Sequence, residues 1–143
     1  MDKIEIFTDG ACRGNPGDGG WGALIRINSE ESYIYGGERN TTNNKMELTA
    51  AIKALNQFDQ ASSITLTTDS EYVRKGITEW IENWKKRGWK KASKKAVKNK
   101  ELWQALDELN RKHYVSWKWV KGHSGHRENE IADELANKGI DEL

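Results

Sequence analysis

Four acidic residues and one histidine in this chain have the type and placement for phosphoryl chemistry. Asp9 closes a short alternating segment and Asp69 closes a β-branched one. Glu47 lies near the start of one amphipathic stretch and Asp133 within the last. Carboxylates that face one another repel, and some bind protons unless a cation intervenes. Hard oxygen donors select Mg²⁺ or Mn²⁺ over zinc. Two such ions ~3.5–4 Å apart can stabilise the attacking and leaving oxygens of a phosphodiester. His123, in Lys121-Gly122-His123-Ser124-Gly125-His126, is of a type that titrates near neutrality and could relay protons. Taken singly, an aspartate after a strand is more often a turn former or helix cap, and a loop histidine more often a plain surface residue. Spacing does not show that the four acids converge. His113 and His126 have no distinguishing context, and no Cys–His spacing points to zinc.

The elements that must position these residues can be read from periodicity. Residues 4–9 alternate, with Ile4, Ile6 and Thr8 on one face and Glu5, Phe7 and Asp9 on the other, which predicts a strand. A glycine-rich loop is expected over Gly10 to Gly20, then strands Trp21 to Ile27 and Ser32 to Gly36 around the turn Asn28-Ser29-Glu30-Glu31. Thr41-Thr42-Asn43 offers helix caps, and Leu48, Ala51, Ile52, Leu55 and Phe58 predict an amphipathic helix over 43–58. Ser63 to Thr68 predicts a strand reached by a right-handed crossover and parallel to the first. Asp9 and Asp69 would then leave the sheet at one carboxyl edge, where open α/β sheets place ligands. Short helices are expected over 70–88, an exposed basic loop over 89–98, a helix through Leu102, Leu106 and Leu109, a strand through Val115, Trp117 and Trp119, and a last helix over 127–138. The sum is an α/β fold, a five-stranded mixed sheet flanked by helices.

Composition narrows the class. The chain has 143 residues, 36% hydrophobic and 31% charged, which is one ordinary domain's worth of core and surface. A lone cysteine, Cys12, forms no internal disulfide and suits a reducing cytoplasm. No apolar run approaches the ~18 residues that would span a bilayer, so no membrane partner is expected. The net charge of +1 conceals a concentrated patch: residues 85–100 carry nine lysines and arginines and no acid.

Read in order, the motifs resemble those of the type 1 ribonucleases H, in particular the bacterial members. Thr8-Asp9-Gly10-Ala11-Cys12-Arg13-Gly14-Asn15-Pro16-Gly17 with Gly19-Gly20-Trp21-Gly22 is similar to the opening motif. Thr41-Thr42-Asn43-Asn44-Lys45-Met46-Glu47-Leu48 and Thr67-Thr68-Asp69-Ser70 with Tyr72-Val73 are similar to the next two. Trp119-Val120-Lys121-Gly122-His123-Ser124-Gly125 and Asn129-Glu130-Ile131-Ala132-Asp133 complete the series. The resemblance implies a single ribonuclease H domain over 1–143, acting as a cytoplasmic monomer on RNA–DNA hybrids. It implies that Asp9, Glu47, Asp69 and Asp133 converge on two Mg²⁺ ions, for which Mn²⁺ can substitute, with His123 assisting proton transfer. The RNA strand would be cut at the P–O3′ bond, leaving 5′-phosphate and 3′-hydroxyl ends. Cys12, Asn15, Thr42, Asn43 and Asn44 would line the hybrid's minor groove, where the 2′-hydroxyl distinguishes RNA from DNA. Trp80, Trp84 and Trp89 with Lys85, Lys86, Lys94 and Lys98 would form a basic protrusion, about residues 80–100, gripping the DNA strand. The competing expectation for Trp80 and Trp84, at i and i+4, is a core face.

Two features depart from the family pattern. Glu71 stands where bacterial members often carry a substrate-contacting glutamine, and a carboxylate donates no hydrogen bond and repels phosphate. The chain also ends soon after its last helix, and its start close to strand one suggests a free-standing protein. A non-catalytic hybrid-binding module is the alternative from another class; it would keep the basic patch yet tolerate loss of a carboxylate.

Overall fold

Strand β1 (Ile4–Arg13) runs through the middle of the sheet, so both of its faces are covered and its alternation is not one of apolar against solvated. The computed structural model describes residues 2–91, 93–121 and 126–143. Strands β2 (Gly17–Ile27) and β3 (Glu30–Thr41) continue from β1 as an antiparallel meander. Helix α1 (Asn43–Leu55) crosses over to β4 (Ser63–Thr68), which lies parallel to β1. A chain of short helices follows: α2 (Glu71–Lys75), a π-helical turn (Gly76–Trp80) and α3 (Ile81–Lys86). After the basic segment come α4 (Lys100–Lys112), strand β5 (Tyr114–Trp119), parallel to β4, and α5 (Arg127–Asp141). The sheet order is β3-β2-β1-β4-β5. No helix of the described residues is long and apolar enough to cross a membrane.

Alternate residues of β1 and β2 serve two cores. Ile4, Ile6, Ala23 and Ile25 join Leu48, Ala51, Leu55, Trp103 and Leu106 beneath α1 and α4. Phe7 and its partner Leu24 face the other way, and α5 packs over β1 and β2 with Ala132, Ala136 and Ile140 buried.

The expected glycine-rich loop is mostly strand. β1 and β2 stay paired from Ala11↔Gly20 to Arg13↔Asp18, leaving only a short turn. The glycines serve packing: a Cβ on Gly20 would run into the Ala136 carbonyl, and one on Gly22 would lie 2.5 Å from the Leu135 Cβ. The β2–β3 turn is also tighter than expected, because Asn28 adopts a left-handed φ of 60° and exchanges hydrogen bonds with the Lys3 backbone. Helix α1 ends three residues early; Phe58, which continued its spacing, packs instead edge-on against His113.

The start of α5 is held by charge. Arg26 lies between its cross-strand neighbours Glu5 and Glu31, 2.8 Å from the latter, and reaches Glu128 at 3.2 Å. Arg127 grips Glu31 with two hydrogen bonds of 3.0 Å. Those bonds, with Arg26's, hold the Glu31 carboxyl down at about 2. His126 caps the helix, its Nδ1 accepting the Asn129 N–H.

Candidate active site

Parallel pairing places Thr8 beside Thr68, so Asp9 and Asp69, one residue further on, leave adjacent strands at the same edge. Ser70 then turns the chain by capping α2, its Oγ accepting the Val73 N–H at 3.1 Å. Thr42 Oγ1 caps α1 by accepting the Lys45 N–H, which starts the helix so that Glu47 falls in its second turn, over β1. Gly10 lets the helix come that close: a Cβ there would lie 2.5 Å from the Glu47 nitrogen. The Gly10 N–H donates to Glu47 Oε1 at 2.9 Å.

Asp9, Glu47 and Asp69 each bring a carboxylate oxygen to within 4.8 Å of the others'. Asp133, half-buried on α5, lines the same cleft of about 510 Å³. Asp9 and Glu47 are only 6% and 5% exposed. Burial pushes the Asp9 carboxyl up to about 7, helped by the charges of Asp69 and Asp133 and opposed by hydrogen bonds from Glu47 and Gly10. Burial, then the Asp9 charge, raises Glu47 well above the ordinary range. Glu47 Oε2 is buried and has no hydrogen-bond partner among the described residues. Crowded, buried oxygen donors of this kind fit a hard divalent cation, whose charge would relieve their mutual repulsion.

The polar residues of the minor-groove set fall around this cleft. Cys12, Asn43 and Asn44 line it. Asn15 stands behind Asn43, accepting its N–H at 3.2 Å, and Thr42 spends its hydroxyl on the helix cap. The Cys12 thiol donates to the Gly14 carbonyl and burial raises its pKa, so it is a neutral donor and no thiolate. Glu71 also lines the cleft, with Ser70 and Tyr72.

Trp80 and Trp84 are at once core face and pocket wall. Half-buried, their rings meet at a tilt, 5.7 Å apart, and line an apolar pocket of about 360 Å³ with Tyr72, Val97, Lys91 and Lys98. Trp89 packs behind Trp84, its rings 6.4 Å away, in a left-handed conformation (φ 63°) closing α3. The basic segment is less free than the expected exposed loop: Val97 is buried, and its N–H returns to the Trp89 carbonyl. Lys86, Lys94 and Lys98 are exposed. Lys85 is not free, since its Nζ lies 2.8 Å from buried Asp107. Trp103 is core, while Trp117 and Trp119 stack on each other, half-buried on the edge strand. His123 lies outside the described residues. Sequence reasoning missed Lys91, Val97 and the full part of Tyr72, because what unites them is contact across some twenty-five residues.

A five-stranded mixed sheet of this order, with acids gathered at the carboxyl edge between α1 and α5, defines the ribonuclease H-like class of α/β proteins. The family model for RNase H matches residues 1–141, and the chain belongs to that family, whose members are endoribonucleases. It is similar to the ribonuclease H of Halorhodospira halophila (strain DSM 244 / SL1), 64% identical over 140 residues, covering 98% of this chain and 94% of that one. Among solved structures it resembles LC9-RNase H1, a type 1 RNase H with the type 2 active-site motif, at a TM-score of 0.87 and 33% identity over 97% of this chain and 72% of that one. It also resembles LC11-RNase H1, solved in complex with RNA/DNA hybrid, at 0.69 and 26% over 98% of both chains.

Proposed function

We propose that the protein cuts the RNA strand of RNA–DNA hybrids endonucleolytically, leaving 5′-phosphate and 3′-hydroxyl ends. The observation that carries this reading is the cluster of Asp9, Glu47 and Asp69 oxygens within 4.8 Å, with Glu47 Oε2 buried and unpartnered among the described residues. These three with Asp133 would hold two Mg²⁺ ions. When bound, the ions supply positive charge that stabilises the attacking and leaving oxygens of the displacement. Mn²⁺, an equally oxygen-seeking ion, would substitute.

The chain's own groups do the rest. Asp9 and Glu47 give up their protons as the cations load. The Gly10 N–H holds Glu47 in orientation through its Oε1. Asn43, Asn44 and the Cys12 thiol offer short polar groups to the minor groove, where a 2′-hydroxyl can donate and accept. Trp80 and Trp84 offer an apolar wall to the DNA strand, and the exposed lysines neutralise its phosphates without reading sequence. His123 would take up or deliver a proton at the departing end. A monomer suffices for this, as every group named is on one chain, and the single free thiol suits a reducing cytoplasm.

A non-catalytic binding module is disfavoured by energetics. Burying Asp9 and Glu47 side by side is costly unless a cation compensates, and a binding surface needs neither. The experiment is a gel assay with end-labelled RNA offered as hybrid, RNA duplex and single strand, with Mg²⁺, with Mn²⁺ and with chelator, beside Asp69→Asn. Metal-dependent cutting of the hybrid alone, abolished in the variant, is the expected result. Binding without cutting under both metals would establish the binding module instead.

A further inference from the structure

The carboxylate cleft and the apolar tryptophan pocket share one lining residue among those described, Tyr72. It sits in the first turn of α2, three residues after Asp69. Its ring meets Trp80 at 5.8 Å and Trp103 at 5.2 Å. Its hydroxyl oxygen accepts two hydrogen bonds from the start of α4, from Trp103 Nε1 at 2.9 Å and Asn99 Nδ2 at 3.1 Å.

Both donors are themselves fixed. Trp103 is fully buried, and its ring occupies the space that a Cβ on Gly76 would need, at the start of the π-helical turn that ends in Trp80. Asn99 holds a left-handed φ of 59° immediately before α4. Three residues of chain join Asp69 to Tyr72, and ring contacts run from Tyr72 to Trp80 and Trp103 and from these to Trp84, spanning the two clefts.

We infer that Tyr72 is a positioning residue that sets the spacing between the two clefts, so that a hybrid with one strand in each is held in a single register for cutting. This rests on the hydrolase reading above. The physical reason is saturation of the hydroxyl oxygen: both of its acceptor sites are used, and the phenol ring cannot shift toward either cleft without leaving a buried N–H unpaired.

The test is Tyr72→Phe, which keeps the ring and removes the acceptor. Steady-state kinetics in Mg²⁺ would compare a long hybrid, reaching both clefts, with a short one whose DNA strand ends before the tryptophan pocket. For the long hybrid KM should rise about tenfold, a fraction of what a 1 Å misplacement can cost, and cuts should spread to neighbouring phosphodiesters. The short hybrid should lose far less. Equal losses on both, or unchanged kinetics and cut positions on both in a folded variant, would overturn the coupling. Should Tyr72→Phe fail to fold, Asn99→Gly removes one donor, keeps the left-handed φ without strain, leaves the buried Trp103 bond in place and is read in the same way with a smaller shift. Failure of the wild type to cut any hybrid would sink the hydrolase reading instead; the long-against-short comparison would then be read in hybrid Kd.

Discussion

Lys85 Nζ lies 2.8 Å from Asp107 Oδ1, and Asp107 is 5% exposed. This pair ties α3 to α4, so Lys85 anchors the basic protrusion to the core, while its neighbours Lys86, Lys94 and Lys98 stay exposed for phosphates. Arg111 also reaches Asp107, at 3.3 Å, and shares the load.

Lys85→Ala should therefore cost stability, about 1–3 kcal/mol for leaving a buried carboxylate short of a partner, and leave the salt dependence of hybrid binding nearly intact. Replacing Lys86, Lys91, Lys94 and Lys98 by alanine should do the reverse, raising KM and lowering the slope of log K against log salt by ~1 for each phosphate no longer neutralised. Thermal melts and Kd measured over a range of salt would separate the two; a flattened slope in Lys85→Ala alone would return that lysine to the binding face.

Asp9→Asn should stabilise the metal-free protein at neutral pH while abolishing cleavage. The folded Asp9 carboxyl is raised from 3.8 to about 7. A raised carboxyl contributes stability below its unfolded pKa that is lost as pH climbs through the folded one. Ionising it at pH 7–8 is thus a burden on the native state, on the order of 2–4 kcal/mol by linkage. Melting with chelator should show the variant above the wild type at pH 8 and level with it near pH 4. Mg²⁺ should raise the melting temperature of the wild type more than that of the variant.

Glu71→Gln should tighten hybrid binding. Glu71 lines the carboxylate cleft, where its charge opposes phosphate and it has no donor to offer. Removing one such charge near a surface is worth about 1 kcal/mol, so KM should fall roughly three- to tenfold. Unchanged KM and Kd would take the position out of contact with substrate.

Below the ordinary histidine range His113 should subtract from stability, against the gain as Asp9 and Glu47 take up protons. Burial, and secondarily Lys112, lower its pKa; its Nδ1 accepts the Ser62 N–H at 3.1 Å and needs its lone pair to do so. A depressed pKa means the contribution is present above the unfolded value and lost as pH drops through the folded one. In a series of denaturant melts His113→Gln should gain on the wild type as pH drops below about 6.5, the unperturbed histidine pKa. An identical pH slope in the variant would take His113 out of the acid response; Glu31, held low by Arg127 and then Arg26, and Glu128, held low by Arg26, lose their share only below the ordinary carboxylate range.

Much of this protein was determined by local rules that a sequence displays. The strand at Ser63–Thr68 and the α1 start at Asn43 follow from β-branched content and a threonine cap, and the structure has both at those residues. The candidate acids were legible by position, because a parallel crossover obliges Asp9 and Asp69 to leave adjacent strands together. Other features depend on distant partners, and only the tertiary structure decided them. Gly20 and Gly22 read as loop residues because the helix that needs their missing side chains lies more than a hundred residues away. Lys85 reads as one cation among nine until Asp107 is folded against it. Tyr72 reads as a helix residue until Trp103 and Asn99 donate to its oxygen. Periodicity and capping act over one or two turns of chain, whereas burial, ion pairing and the crowding that lifts Asp9 and Glu47 exist only once separate segments share a volume.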